Sequence, residues 1–318
     1  MIKKGIYPGL GMTEYHEWRL DKTNLAAGPI SSSMLKGFAQ NPYAWTKAGE
    51  FKVTPAMRTG TLFDAAITDP DELSELLPKP DTLPEMELSP FDSFRTKDAR
   101  AWKAEKEAAG IVVTTEDKRR DLEQGYAEKM IKWQDQMDHL MAAREAVYSH
   151  PIAGEMVRDA EFQVGIIGDI AGTPAKCLLD ILPSAAGDFS ETLVDFKTIS
   201  TGIDDESIRN AIGRFKYHWQ AAFYYSLFNN ASPDRVCEDF AFIFQDISTL
   251  EVRVVTLNDD ALMLGSRSVA AALKKYFTCA EYGIKSEYLE TNDEMGLMPY
   301  HSTAEDDELA RMEGGEND

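Results

Sequence analysis

Three charged residues near the middle of the chain have the types and spacing for chemistry on a phosphate. Asp180 closes the apolar run Cys177-Leu-Leu, and Asp195 and Lys197 sit two apart in Leu193-Val-Asp-Phe-Lys197. Each run reads as a short strand, the two joined by a Pro-, Ser-, Ala- and Gly-containing turn from Pro183 to Asp188. A side-chain period of two puts Asp195 and Lys197 on one face. Carboxylates on adjacent strand ends can share a hard divalent cation such as Mg²⁺. A Lys beside them can orient water or neutralise charge building on a phosphate. These are the groups that metal-assisted phosphodiester hydrolysis needs as a minimum. The same residues would equally make a solvated strand end with a surface ion pair, and Asp-x-Lys alone does not separate the two.

The flanking sequence supplies elements to hold such a site. Glu161-Phe-Gln-Val-Gly-Ile-Ile reads as a first strand, Gly168–Gly172 as a turn, Pro174–Leu182 as a second strand and Thr192–Lys197 as a third. Asp205 or Ser207 caps a helix reaching about Phe228, on which Gln220 and Tyr224, four apart, share a face. Strands over Glu238–Gln245 and Glu251–Leu257 follow, and Asn258 starts a last helix to about Tyr288. Strands, helix, then strands predict a mixed α/β sheet.

The N-terminal half reads as mainly helical. Met1–Gly28 is expected to be an extended, partly ordered arm, with Glu14-Tyr-His-Glu-Trp18 as an aromatic patch. Gly28-Pro-Ile-Ser-Ser-Ser33 offers a turn and cap for a helix through Met34, Leu35 and Phe38, stopped by Asn41-Pro42. The Ser hydroxyls and free N–H groups there could hold a phosphate or simply cap the helix. In Thr54–Asp71, helical spacing puts Gly60 and Asp64 on one face. Gly within a helix costs about 1 kcal/mol against Ala, so it marks the close approach of another group. Asp64, among Leu62, Phe63, Ala65, Ala66 and Ile67, is either on the exposed face or holding something. Leu73–Pro90 reads as a loop. Ser89–His150 reads as helical with a turn near Gly110–Thr114, and Leu122, Tyr126, Met130, Trp133, Met137, Leu140 and Met141 form a core or subunit-contact stripe. Arg95, Lys97, Arg100, Trp102, Lys103 and Lys106 could lie along a DNA backbone or form a solvated face with Glu partners.

A chain of 318 residues with 43% hydrophobic and 27% charged residues is expected to be globular and soluble. It shows no apolar run long enough for a bilayer and no signal-peptide pattern, so no membrane partner is expected. Cys177, Cys237 and Cys279 lie far apart, which fits a reducing cytoplasm and three small buried hydrophobes. No Gly-rich phosphate loop is present, which argues against a nucleoside-triphosphate site. The net charge of −21 argues against a protein that coats nucleic acid. The segment His301–Asp318 carries seven acidic residues and one Arg, and without this −6 the chain is still at −15. Net charge governs solubility and non-specific binding rather than a local groove, so an acidic exterior could repel DNA everywhere but a basic, metal-loaded channel.

Taken in order, Gly60-x-x-x-Asp64 with Asp69-Pro70, Glu161, Asp180, Asp195-x-Lys197-Thr198 and Tyr217-His218-x-Gln220-Ala-Ala-x-Tyr224 resemble the RecE-type (exonuclease VIII-like) exonucleases of the PDDEXK nuclease superfamily. The resemblance runs from about Ser31 to Tyr288. It implies a restriction-endonuclease-like core with a mixed sheet flanked by helices. Residues 1–300 would be one nuclease domain, mainly helical over 30–150 and catalytic over 160–290; the acidic tail over 301–318 lies outside the resemblance and reads from its charge as a disordered, solubilising segment. It implies Mg²⁺, with Mn²⁺ as a substitute, on Asp180, Asp195 and the Phe196 carbonyl, with Asp64 and Glu161 as further metal candidates. Lys197 would position the attacking water, braced by Gln220 and Tyr224. Ser31 and Ser33 are candidates for a 5′-phosphate, and Arg58, Lys216 and His218 for other DNA contacts. The family usually has His where this chain has Asp64. The activity implied is 5′-to-3′ digestion of linear duplex ends by a trimeric or tetrameric ring, handing 3′ overhangs to a single-strand annealing protein in a bacterial or phage-infected cytoplasm. A weak or inactive DNA-end or protein-binding module, and an endonuclease, are the alternatives.

Overall fold

The structure, a computed structural model, describes residues 3–10, 12–18, 25, 28–49 and 52–284. The chain opens with β1 (Gly5–Tyr7) and α1 (Met12–Glu17). A helical stretch follows: α2 (Ser32–Gln40), α3 (Pro42–Lys47), α4 (Pro55–Thr68) and α5 (Pro70–Leu76). Beyond it come β2 (Met86–Leu88), α6 (Lys97–Ala108), β3 (Val112–Thr114), α7 (Glu116–Ser149) and α8 (Ala153–Val157). The second half holds β4 (Glu161–Ile170), β5 (Thr173–Leu182), β6 (Thr192–Ile199), α9 (Asp205–Arg214), α10 (Tyr217–Ala231), β7 (Asp239–Asp246), β8 (Val252–Thr256) and α11 (Asp259–Tyr282).

Six strands form one sheet in the order β1-β4-β5-β6-β7-β8. Pairing is antiparallel throughout except for β6 beside β7, which α9 and α10 connect in parallel. Strand β7 shows why the sheet is buried on both sides. Phe240, Phe242 and Phe244 point into one apolar layer with α2, α10 and α11, while Ala241 and Ile243 point into another with α4, α7 and α8. Such a strand loses its polar alternation because neither face meets water. The mixed sheet between two helical layers matches the expected fold class.

Several local expectations change. The first residues do not form a loose arm: Gly5 pairs with Ile167 and Tyr7 with Gly165, and Trp18 packs with Leu10, Ile167 and Leu178. Within the expected loop over Leu73–Pro90, the Asp69 carboxylate caps α5 by accepting from the N–H groups of Asp71 and Glu72, and β2 pairs in parallel with β3. The expected turn near Gly110 is present, with Gly110 at a φ of 80°, and β3 follows it directly. The apolar stripe of α7 is buried only in its last turns, at Leu140, Ala143 and Val147, and Leu122 and Met141 are exposed. Within the basic cluster, Lys103 and Lys106 pair with Glu107 and Glu87, and Arg100 donates to the carbonyls of Phe94 and Arg95. The helix expected from Asp205 to Phe228 is two, broken at Phe215 and Lys216, where Lys216 adopts a left-handed φ of 53°. The last helix ends at Tyr282, six residues short of the expected Tyr288, where Gly283 turns the chain with a φ of 82°; the acidic segment 301–318 lies outside the described residues.

Helices α10 and α11 touch at Gly265. A Cβ there would press into the His218 carbonyl, 2.8 Å from its carbon and 3.1 Å from the Ala222 Cβ. Backbone cannot yield as a flexible side chain would, so Gly265→Ala is expected to destabilise the protein by about 1–3 kcal/mol. Urea unfolding of the two proteins, compared by midpoint, measures this.

Candidate active site

β5 and β6 are in register at Ile181 and Val194 and then part. Where they part, the Asp180 carboxylate bridges them: its Oδ2 accepts the Phe196 backbone N–H at 3.0 Å. A side chain thus satisfies a donor that would otherwise be orphaned inside the protein. The opening is the floor of a cleft of about 830 Å³, walled by Gly60 and Asp64 of α4, Phe196–Ile199 of β6 and Asn210–Gln220 around the α9–α10 break. A Cβ on Gly60 would stand 3.4 Å from Thr198 Oγ1, an ordinary contact, so the approach of α4 to β6 does not by itself require a glycine here.

Alternation along β6 sends Leu193, Asp195, Lys197 and Ile199 to one face and Val194 and Phe196 to the other. Asp195 is 1% exposed. Its Oδ1 accepts from Gln220 Nε2 at 2.6 Å, and its Oδ2 faces the Lys197 ammonium as an ion pair. Lys197 also donates to the Phe196 carbonyl at 3.3 Å and stands 5.2 Å from the centre of the Tyr217 ring. Burial pulls the lysine pKa down, but Asp195 and Asp180 outweigh it and the net shift is upward. Lys197 is therefore an ammonium at neutral pH.

A third carboxylate comes from α4. Gln163 Nε2 donates to Asp64 Oδ2 at 2.8 Å, while Asp64 Oδ1 is buried without a hydrogen-bond partner. Gln163 sits in β4 at a left-handed φ of 50°, opposite Asp180, and both drop out of a ladder that pairs Phe162 with Ile181 and Val164 with Leu179. The two irregular positions aim their side chains at one place. Burial first, then Asp195, raises the Asp64 pKa to about 7, against an opposing pull from Lys197. Burial, then Asp195 and Asp64, holds Asp180 well above the usual carboxylate range.

Residues 31–294 match the family described as a PDDEXK-like domain of unknown function (DUF3799). The chain belongs to this family. A comparison with curated proteins finds no match. Among solved structures, a candidate exonuclease from Eubacterium rectale superposes with a TM-score of 0.53 over 93% of this chain and 98% of that one, at 12% identity. At that identity the likeness shows a shared fold. An alkaline exonuclease from Laribacter hongkongensis covers 59% of this chain and 84% of its own at 18% identity, with a TM-score of 0.29, too low for a whole-domain likeness.

The PDDEXK-like core brings Asp64, Asp180, Asp195, Lys197 and Gln220 together, with the Phe196 backbone between them. Other expected residues stand elsewhere. Glu161 is exposed at the start of β4 opposite Leu182; Gln163, two residues on, takes the place by the cleft. Gln220 braces Asp195 rather than the lysine. Tyr224 packs edge-on against Phe240 in the core, where burial pushes its hydroxyl pKa well up, and Tyr217 is the ring beside Lys197. Ser31 Oγ accepts the Met34 N–H as a helix cap and lies 3.1 Å from Ser33 Oγ. Arg58 is exposed on α4, Lys216 lies over Trp219, and His218 lines a separate cleft with Leu257 and Leu264. Gln163 and Tyr217 were missed as site residues. Tyr217 carried a signal, being three residues before Gln220 and so on the same helix face.

The oxygens on offer suit a hard cation: three carboxylates and one carbonyl. The unpartnered Asp64 Oδ1 and the raised carboxyl pKa values are what a divalent ion would relieve. Among the described residues no three His, Cys, Asp or Glu side chains already stand as a metal cage, and the Lys197 ammonium holds the Asp195 and Phe196 oxygens.

Asp64 makes stability depend on pH. The folded state keeps its proton to about pH 7, whereas an unperturbed Asp gives it up near 3.8. Between these values the folded state binds more protons, so stability falls as pH rises. Asp64→Asn removes this loss. In EDTA, the variant is expected to match the parent near pH 3.5 and to exceed it by a few kcal/mol at pH 8. Denaturant midpoints across the range measure the difference.

Proposed function

We propose that the protein is a Mg²⁺-dependent nuclease that hydrolyses phosphodiester bonds at the ends of linear duplex DNA. The observation that carries this is the convergence of Asp64, Asp180 and Lys197 on one cleft, with Asp195 buried behind Lys197 and ion-paired to it. When bound, Mg²⁺ would polarise the phosphate and make the attacking water more acidic. Asp180, Asp195 and the Phe196 carbonyl would hold it, with Asp64 as a further ligand. Lys197 supplies a fixed positive charge next to the phosphate oxygens, where charge grows as the bond breaks. There it acts as an electrostatic and hydrogen-bonding group. Gln220 holds one oxygen of Asp195 and leaves the other on the lysine, and Gln163 holds one oxygen of Asp64.

The finer reading, RecE-type 5′-to-3′ digestion by a ring that serves a strand-annealing partner, rests on the sequence resemblance. So does the cytoplasmic setting; no helix among the described residues is long and apolar enough to cross a membrane. Linear duplexes labelled at either end, with and without a 5′-phosphate and with Mg²⁺ or EDTA, test it. Metal-dependent loss of the 5′ label first is expected, with covalently closed circles left intact. Cutting of the circles would make it an endonuclease. No cutting and no calorimetric binding of Mg²⁺ or Mn²⁺ would make it a binding module.

Lys197→Ala is expected to lower the cleavage rate at least about 100-fold, as loss of one preorganised charge-stabilising donor does. Metal affinity, read by calorimetry, should not fall, because Asp195 loses its competing cation.

A further inference from the structure

The break between α9 and α10 places a large apolar ring in water at the mouth of the cleft. Phe215 is 51% exposed and is one of the cleft-lining residues. It is not loose: its ring stacks on Tyr217 with centroids 5.6 Å apart and planes at 29°. Tyr217 in turn stands 5.2 Å from Lys197 Nζ, so one ring separates Phe215 from the ammonium at the cleft floor.

Positive charge gathers around it, in a chain whose net charge is −21. The Arg214 guanidinium lies over the Phe215 ring at 5.4 Å, and Lys36 reaches from α2 to donate to the Phe215 carbonyl at 3.2 Å. Lys216, next in the chain, holds a left-handed backbone that turns α10 back toward the sheet. Burial, and then Lys197, lowers the Lys36 pKa to about 8, so an arriving anion would favour its charged form. An exposed, backed aromatic ring flanked by cations is the pairing that grips single nucleic-acid strands: charge follows the backbone and the ring takes a base face.

We infer that Phe215, supported by Tyr217, is the stacking platform for the nucleobase beside the cleaved phosphate, with Arg214 and Lys36 on the adjoining backbone. This rests on the nuclease reading above and adds to it the part of the substrate that the cleft holds. Stacking accepts every base because each has a π-face. The protein should therefore require a base at this position but not a particular sequence.

The test uses the full chain and linear duplexes whose terminal nucleotides are either normal or abasic. The parent is expected to cut abasic ends about 5- to 100-fold more slowly than normal ends. Phe215→Ala should cut both at the slower rate, and Phe215→Trp should restore the preference. A parent indifferent to abasic ends, or an alanine variant that keeps the preference, overturns the proposal. In EDTA, quenching of a terminal 2-aminopurine should be present with the parent and lost with Phe215→Ala. If no DNA is cut but this quenching holds, the nuclease reading fails and the platform stands. If neither quenching nor a preference is seen and the alanine variant instead changes the sedimentation coefficient, Phe215 belongs to a contact between copies and the proposal falls.

Discussion

One hydrogen bond shapes the site: the carboxylate of Asp180 accepting the backbone N–H of Phe196. It lets β5 and β6 separate without leaving a buried donor unpaired, which would otherwise cost on the order of 1–3 kcal/mol. Separation opens the cleft, and the same bond fixes Asp180 against the strand that carries Asp195 and Lys197. A site made this way is part of the sheet rather than an addition to it. Its geometry is therefore set by the same strands that form the core on either side.

The charges within that frame are in tension. Three carboxylates crowd one ammonium, and burial opposes the charges of Asp64, Asp180 and Lys197. Breaking a buried pair is costlier than forming it is favourable, so the arrangement stays intact but remains open to a stronger cation. Amides do the steering. Gln163 and Gln220 each donate to one carboxylate oxygen and leave the other directed at the centre. A neutral donor orients a carboxylate without neutralising it, which preserves the demand for positive charge.

Much of this was legible in the residues. The period of two along Leu193–Lys197 set Asp195 and Lys197 on one face, and the Gly60–Asp64 spacing put both toward the same wall. Caps at Ser31 and Asn258 marked helix starts because their side chains can satisfy free N–H groups. What escaped was tertiary. Gln163 replaces Glu161 because β4 takes a left-handed residue in mid-strand, and no propensity assigns that conformation to glutamine. The break at Lys216 is hidden for the same reason, since a lysine looks helical until the sheet requires a turn. Three-residue strands such as β1 and β2 have too little alternation to announce themselves. The stripe on α7 misled because helical periodicity tells which face is apolar but not how far the core extends along it.

The sheet's two borders carry a consequence for how copies of the chain can meet. On one side the last strand is three residues long, and on the other it is five, with Arg253 engaged by the Ile203 carbonyl and Asp205. Short margins, one of them bearing a charge, give a foreign backbone little to zip onto. Among the described residues, the central sheet therefore favours meetings made by side chains on its helical layers, which can be specific and reversible, over the indiscriminate grammar of main-chain pairing.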